Sequence, residues 1–371
     1  MAGIYLHIPF CKKACHYCNF HFSTTLTLKN ELLTCLRKEI ELQKEYLSGV
    51  PITSIYFGGG TPSLLSIEEL NAIFNTIYSN FEVENDIEIT LESNPDDLTE
   101  DYCNALKKST PVNRLSIGIQ SFNDECLSFM NRAHSGKEAI AAIKNAQKAD
   151  FENLTIDFIY GTPTLSDEQW VTNLNTAFAF NIPHLSCYNL TVEENTALNH
   201  FVKKGKQKPV DEMQSARQFQ ILVEKTAVNG FEHYEISNYA KSGFRAIHNS
   251  SYWEGIPYLG IGPSAHSFDG NSRQSNIANN ALYIKSLSNN EMNFEKEVLT
   301  LENIHNEYVM TSLRTSWGCD PLKINPFFAE NFNKKIAELI EKGWITQNGN
   351  NYILTFQGKL LADHIAVTLF E

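Results

Sequence analysis

Residues 4–18 read IYLHIPFCKKACHYC, an apolar, strand-like run that leads directly into three cysteines. Cys11, Cys15 and Cys18 are separated by three and then by two residues, so a single loop can present all three thiolates to one inorganic group. An iron–sulfur cluster usually has four thiolate ligands, and a structural zinc ion also has four ligands. Three close cysteines without an obvious fourth therefore predict a cluster with one iron left open for another ligand.

The spacing alone leaves a zinc site of the Cys3His type open, with His7, His16 or His21 as the fourth ligand. No second CxxC or HxxxH pair lies nearby to complete such a site. A redox CxxC pair is disfavoured because it would leave Cys11 unexplained. The remaining cysteines lie among apolar neighbours, and we predict that they are buried thiols: Cys35, Cys103, Cys126, Cys187 and Cys319.

Strand-like and helix-like segments alternate from residue 3 to about residue 190. We predict strands at 4–8, 53–57, 86–91, 114–119, 154–160 and 184–189. Helical patterns lie near 27–48, 66–79, 98–108, 123–132, 136–149 and 166–180, and two of them open with capping boxes, Ser66 with Glu69 and Ser166 with Gln169. Six such units predict an α/β fold with a parallel sheet, a partial (β/α)6 TIM-like barrel. Polar residues follow the strands, where a barrel gathers its functional groups. A doubly wound open sheet would also place loops there, and the barrel is preferred because six consecutive units carry polar residues at that edge.

The pattern changes after about residue 200. We expect the partial barrel in residues 1–200, an extension rich in aromatics, Gly and His in residues 201–298, and an α+β appendage in residues 299–371. Helical runs near 302–314 and 331–342 precede a hairpin-like stretch with Asn348-Gly349 as its turn signal. This order predicts a winged-helix-like C-terminal domain.

The composition excludes several classes of protein. A formal net charge of −13 over 371 residues argues against a nucleic-acid partner, because phosphate binding requires clustered Lys and Arg. No apolar run reaches the roughly 18–20 residues of a transmembrane helix. The N-terminus also lacks the basic region of a signal peptide. We therefore expect a cytoplasmic protein.

The C-x3-C-x2-C spacing, with Tyr17 before the last cysteine, resembles the signature of the radical-SAM superfamily. The resemblance implies a [4Fe–4S] cluster whose open iron binds the amino and carboxylate groups of S-adenosylmethionine (SAM). An electron from the cluster would then cleave the sulfonium and give a 5′-deoxyadenosyl radical. The sequence GGGTP at 58–62 favours this interpretation, because backbone without side chains lets a ligand approach closely. A tight strand-to-helix turn is the alternative.

Further motifs narrow the resemblance: YLHIPFC, E-x-N-P, RLSIGIQSF, NR-x-H, IDFIYGTP and HNSSYW. Over essentially the whole chain they resemble the family of oxygen-independent coproporphyrinogen III oxidases and related heme chaperones. From the residues alone, an alternative role for Arg132 is to cap the C-terminus of the 123–132 helix. Asp157, an acid in an apolar run, would be costly to bury without a partner. The resemblance implies SAM-binding roles for Tyr5, Gly59, Gly60, Thr61, Glu92, Gln120, Arg132 and Asp157.

Two features distinguish the branches of this family. The oxidases carry a further cysteine two positions after the third cluster ligand, where this chain has Phe20. The heme-chaperone branch is associated with heme binding through an HNxxYW element, which here begins at His248. A neutral imidazole can ligate heme iron. The alternatives are that His248 packs a junction after the barrel, or that His266 or His7 is the ligand, although the place of His7 on the first strand favours a role beside the cluster.

The leading expectation is a radical-SAM heme chaperone that binds the cluster, SAM and heme and passes heme to an acceptor protein. An electron donor is a second expected partner, and peripheral contact with a membrane acceptor and an oligomeric state are left open. No catalytic residue is assigned, and cleavage of SAM is left open. An oxygen-independent coproporphyrinogen III oxidase is the first alternative, which Phe20 disfavours. A zinc-bearing structural or interaction protein is the second.

Overall fold

The computed structural model describes residues 1–371. Six parallel strands and their connecting helices form the first part of the chain, as the alternating pattern predicts. Their bounds are β1 (Ala2–Ile8), α1 (Lys29–Leu42), β2 (Ile52–Gly59), α2 (Ile67–Asn80), β3 (Val83–Ser93), α3 (Glu100–Ser109), β4 (Arg114–Gln120), α4 (Asp124–Phe129), α5 (Gly136–Lys148), β5 (Asn153–Tyr160), α6 (Asp167–Ala179) and β6 (His184–Asn189).

Burial on both faces explains why these six strands are visible in the sequence. Every residue of β4 is buried, and β1 has a single position that is not. Strands of a parallel sheet are covered on both faces and therefore carry long apolar runs. The two predicted capping boxes are confirmed at the starts of α2 and α6, and a third one, formed by Ser135 and Glu138, opens α5. The five scattered cysteines are buried, as predicted.

The sheet extends beyond the six predicted strands on both sides. Its order is β12-β11-β10-β9-β1-β2-β3-β4-β5-β6-β8-β7, with β9 parallel to β1 and β8 antiparallel to β6. Residues 232–298, expected only as part of an extension, thus contribute six strands to the same sheet. The added elements are α7 (Ala197–Lys203), α8 (Glu212–Val228), β7 (Glu232–His233), β8 (Asn238–Ala240), α9 (Ile247–Glu254), β9 (Tyr258–Ile261), β10 (His266–Phe268), β11 (Ser272–Asn276), α10 (Asn280–Ser288) and β12 (Phe294–Val298).

Helix α9, which carries the HNxxYW element, packs against β1 and β2 near the beginnings of the barrel strands. Its N-cap, Ala246, has no side chain able to accept a hydrogen bond. The Glu88 carboxylate of β3 replaces that cap and accepts from the N–H groups of Ile247 at 3.0 Å and His248 at 2.9 Å. Gly255 ends the helix with a φ of 71°. Helix α9 is therefore fastened across the floor of the barrel, the end opposite the cysteine loop.

A second apolar cluster, separate from the barrel core, is formed by residues between Val309 and Leu369. The predicted hairpin is present, with its turn at residues 349–350. No helix in the chain is both long and apolar enough to cross a bilayer. The elements of this part are α11 (Leu301–Leu313), α12 (Ala329–Glu341), β13 (Ile345–Asn348), β14 (Asn351–Leu354), α13 (Phe356–Leu360) and α14 (Ala362–Leu369).

Candidate functional site

The carboxyl ends of the barrel strands open into a cavity of about 420 Å³. Cys11, Cys15 and Cys18 line it from the loop after β1, and all three thiols are free and partly exposed. Of the predicted SAM-binding residues, only Tyr5 does not line the cavity. The others on its wall are Gly59, Gly60, Thr61, Glu92, Gln120, Arg132 and Asp157. The structure therefore brings together residues from β2, β3, β4 and β5, Arg132 from the segment after α4, and the cysteine loop.

The glycines after β2 are required by the chain itself. Gly59 has a φ of +100°, and a Cβ there would lie 2.6 Å from the His7 ring. A Cβ at Gly60 would lie 2.6 Å from the carbonyl oxygen of Phe10. The N–H of Gly60 donates to Ile8 at 2.9 Å. The missing side chains thus let the end of β2 lie directly against the segment that carries the cysteines, a reason beyond the close ligand approach expected from the sequence.

Arg132 does not cap a helix, because α4 ends at Phe129. Its Nη1 donates to Cys15 Sγ at 3.3 Å, and its Nη2 donates to Asn94 Oδ1 and to the Gly118 carbonyl, both at 2.6 Å. The buried Nε has no partner. The guanidinium therefore joins the cysteine loop to β4 and to the turn after β3, and it keeps one donor free beside the cavity.

Two partly buried carboxylates, Glu92 and Asp157, lie on the cavity wall. The Tyr56 hydroxyl donates to Glu92 Oε1 at 2.8 Å, and the Ser116 hydroxyl donates to Asp157 Oδ1 at 3.2 Å. Burial raises the pKa of Glu92 to about 7, and the nearby charge of Asp157 adds to the effect. Burial likewise raises the pKa of Asp157 to about 6. Neither carboxylate forms an ion pair, although the charges of Arg114 and Arg132 act on Asp157 from a greater distance. This wall therefore suits a cationic ligand.

Gln120, at the end of β4, has a φ of 64°, in the left-handed region that non-glycine residues rarely adopt. The pairing register between β4 and β5 shifts immediately before it. Such strained positions cluster at functional sites. Ser116 and Gly118 precede Gln120 on the same face of β4 and also line the cavity. The two-residue alternation in RLSIGIQ was the signal that could have identified Ser116 as a wall residue.

Tyr5 lies behind the cavity wall and supports it. Its ring stacks on Tyr56, with the centroids 6.1 Å apart and the planes at 25°. Its hydroxyl lies 3.2 Å from Nδ1 of His7. Asn94 and Tyr17, which the sequence did not single out as site residues, do line the cavity. The E-x-N-P motif contains Asn94, so the residue was within reach of sequence reasoning.

The three histidines considered as zinc ligands each have another partner. His7 Nε2 lies 2.9 Å from the His21 carbonyl, His16 Nδ1 lies 3.0 Å from the Phe129 carbonyl, and His21 Nε2 lies 2.7 Å from Asn280 Oδ1. No three His, Cys, Asp or Glu side chains are spaced as ligands of a single ion. A cubane binds each thiolate to a different iron and does not need that spacing.

Comparison with known proteins gives the family. The sequence model described as the Radical SAM superfamily matches residues 5–177. A protein of Bacillus subtilis named Heme chaperone HemW is 32% identical over 378 residues, which span 98% of each chain. The chain belongs to the HemW family. A HemW of Mycobacterium tuberculosis is also 32% identical, over 374 residues that cover 99% of this chain and 94% of its own.

A solved structure supports the fold independently. The coproporphyrinogen III oxidase HemN of Escherichia coli, described as a radical SAM enzyme, superposes with a TM-score of 0.85. The match covers 100% of this chain and 90% of the oxidase at 24% sequence identity. This likeness confirms the predicted partial barrel and its appendage as a HemN-like fold, while membership of the HemW family rests on the sequence relatives.

The HNxxYW element does not lie at the cysteine cavity. His248 is 2% exposed at the barrel floor. Its Nδ1 lies 2.8 Å from Ser54 Oγ, and its Nε2 lies 2.9 Å from the Tyr252 hydroxyl. Burial lowers the pKa of His248 to about 3, so the ring is neutral. Both nitrogens are already engaged, and ligation of heme would require the ring to leave these partners. Its assignment as a heme ligand therefore stays a prediction. Phe20, by contrast, is 68% exposed at the cavity.

Proposed function

We propose that this chain is a radical-SAM heme chaperone that binds a [4Fe–4S] cluster through Cys11, Cys15 and Cys18. The observation that carries the proposal is one cavity that combines three free thiols with two partly buried carboxylates, neither of which forms an ion pair with a lysine or arginine. A cluster held by three thiolates keeps one iron open. When bound, the cluster supplies an electron at low potential, and SAM on the open iron supplies a reducible sulfonium.

The chain's own residues would orient SAM. Glu92 and Asp157 offer negative charge to the cationic ligand, and Asp157 can also accept from a ribose hydroxyl. The backbone at Gly59 and Gly60 lines the cavity beside the cluster loop. Gln120 is held at the rim by its unusual backbone conformation. The remaining proposed contacts are Thr61, Arg132 and, from behind the wall, Tyr5.

Heme and a heme-accepting protein are the proposed cargo and partner. The support is the name of the relatives, since proteins called heme chaperones align with almost the entire chain. We propose His248 as the axial ligand in a state in which α9 has released the ring. An electron donor and an acceptor in the cytoplasm or at the membrane surface complete the proposal.

Anaerobic reconstitution tests the cluster. About four irons and four sulfides per chain are expected, with an EPR signal of the reduced protein that changes when SAM is added. Cys15→Ser should lose the cluster. Cys35→Ser is the matched control, because Cys35 is buried in α1 and lies outside the cavity. One zinc without sulfide would refute the radical-SAM assignment and support the zinc alternative.

One observation favours the oxidase alternative, namely the HemN-like fold. Phe20 occupies the position where the oxidases carry their additional cysteine. The same reconstituted sample should therefore produce no protoporphyrinogen IX from coproporphyrinogen III with SAM and a reductant, and should show a Soret band on titration with heme. Formation of protoporphyrinogen IX would replace the chaperone proposal with the oxidase.

A further inference from the structure

The side chain of His248 extends from helix α9, at the barrel floor, towards the cavity wall that carries Glu92 and Asp157. Its ring stacks on Tyr56, with the centroids 5.1 Å apart and the planes at 25°. Tyr56 in turn donates its hydroxyl hydrogen to Glu92 at 2.8 Å. Only one aromatic ring therefore separates the histidine of the HNxxYW element from a carboxylate of the proposed SAM pocket.

The position of the His248 ring is fixed from three elements. Ser54 of β2 and Tyr252 of α9 occupy its two nitrogens. Glu88 of β3 holds the backbone N–H of the same residue at 2.9 Å. A buried side chain in a fixed position is expected to have all its polar groups hydrogen-bonded, because each unpaired nitrogen would lower the stability of the fold.

The surrounding space leaves little room for an alternative position. A Cβ at Gly3 would lie 3.1 Å from His248 Cε1, so the ring already fills the space over the start of β1. The adjacent residue of α9, Asn249, lines a small cavity of about 40 Å³ that Glu92 and Asp157 also line. Helix α9 thus forms the lower wall of the compartment whose upper wall is the proposed SAM pocket.

We infer that His248 is a positioning residue: it holds Tyr56, and Tyr56 holds the Glu92 carboxylate in the geometry that binds SAM. Helix α9 and the SAM pocket are therefore coupled. The inference rests on the proposed function, because it assumes that Glu92 contacts SAM. Any event that removes His248 from its place weakens SAM binding, and SAM binding opposes that removal to the same extent, since linkage is reciprocal.

A double-mutant cycle on the reconstituted full chain tests this coupling. SAM affinity is measured for the wild type, Tyr56→Phe, His248→Gln and the double variant. Tyr56→Phe removes a hydrogen bond to a charged group and should weaken SAM binding about tenfold. His248→Gln should weaken it by roughly threefold to tenfold, and the double variant should be no weaker than Tyr56→Phe alone. Independent effects that multiply in the double variant would overturn the inference, as would wild-type affinity in His248→Gln.

A second variant keeps the test decisive if His248→Gln fails to fold. Ser54→Ala keeps the imidazole and removes one of its anchors, so it should weaken SAM binding roughly twofold to threefold and lose that effect in a Tyr56→Phe background. Thermal unfolding of each variant separates a change in affinity from a loss of folded protein. A wild type that binds the cluster but not SAM would overturn the proposed function together with this inference. If the wild type binds SAM but the effects of the two substitutions on SAM affinity multiply in the double variant, the inference alone is overturned.

Discussion

Replacing Glu92 by Gln should change how SAM binding depends on pH. Burial raises the pKa of Glu92 from 4.5 to about 7, so the SAM-free protein at pH 6 carries this group protonated in about nine molecules of ten. A cationic ligand favours the ionised form and returns the pKa towards its ordinary value. Binding at pH 6 should therefore release about 0.9 proton from Glu92, and about 0.1 proton at pH 8. The glutamine variant keeps an oxygen that can accept from Tyr56, and it cannot release this proton.

The difference between the two proteins is the quantity to measure. Calorimetry in buffers of different ionisation enthalpy gives the number of protons released, and any proton that SAM itself releases cancels in the comparison. From pH 6 to pH 8 the Glu92 contribution should raise the affinity of the wild type about tenfold, and Glu92→Gln should lack that rise. Equal proton release from both proteins would refute the assignment of Glu92 as a ligand-facing carboxylate.

Stability measurements on the SAM-free protein test the same carboxylate. Ionised Glu92 favours SAM binding, whereas in the SAM-free protein it should lower the free energy of unfolding. Because the pKa is raised in the folded state, the cost of holding an ionised Glu92 is absent below about pH 4.5 and fully present above about pH 7. That cost is about 3 kcal/mol for a shift of this size. Glu92→Gln should therefore raise the free energy of unfolding at pH 8 and leave it nearly unchanged at pH 4.5. A glutamine variant that is less stable at pH 8 would contradict the reasoning.

Three further perturbations follow from contacts around the site. Gly60→Ala should abolish cluster retention, measured as iron and sulfide per chain, because its Cβ would meet the Phe10 carbonyl at 2.6 Å. Glu88→Gln should lower the free energy of unfolding by about 1–3 kcal/mol in urea, because the cap of α9 loses its charge. Arg132→Met should lower the midpoint potential of the cluster in a redox titration followed by EPR, because the donor at 3.3 Å from Cys15 Sγ is lost.

The barrel was predictable because its strands are long and apolar, whereas the rest of the sheet was not. Strands β7 to β12 have two to five residues each, too few for a period to emerge. β12 is exposed along its whole length and carries FEKEV, so its sequence shows no buried face. β9 pairs with β1 and β8 pairs with β6, and both partners are more than 40 residues distant along the chain. The other added strands continue the sheet outward from β8 and β9.

The candidate site likewise has features that the sequence predicts and features that it does not. Local motifs, the three cysteines and the glycines after β2, are visible because their chemistry is contained within a few residues. The environment of His248 depends on Ser54 and Glu88, which are 194 and 160 residues away in the chain. The HNxxYW motif shows which side chains are present, but it does not show that both ring nitrogens of His248 already have hydrogen-bond partners. The sequence therefore predicted the upper wall of the compartment and missed the role of its floor.

The arrangement makes a specific prediction about SAM and heme together. If His248 ligates heme, its ring must leave Ser54 and Tyr252, and Tyr56 then loses the surface on which it stacks. Saturating SAM should consequently weaken heme binding by the wild type, by about tenfold for a typical coupling energy between sites. In His248→Gln, heme binding should be weaker from the start and should no longer respond to SAM.

Heme titrations followed at the Soret band, with and without saturating SAM, provide the measurement. Ser79→Ala, at an exposed position of α2 and outside both sites, is a control that should keep the wild-type response. Heme affinity of the wild type that is the same in both titrations would refute the coupling of ligation at His248 to the SAM pocket. Opposed binding would give the protein a physical means of releasing heme, because occupation of the pocket by SAM would favour the return of His248 to the floor of the barrel.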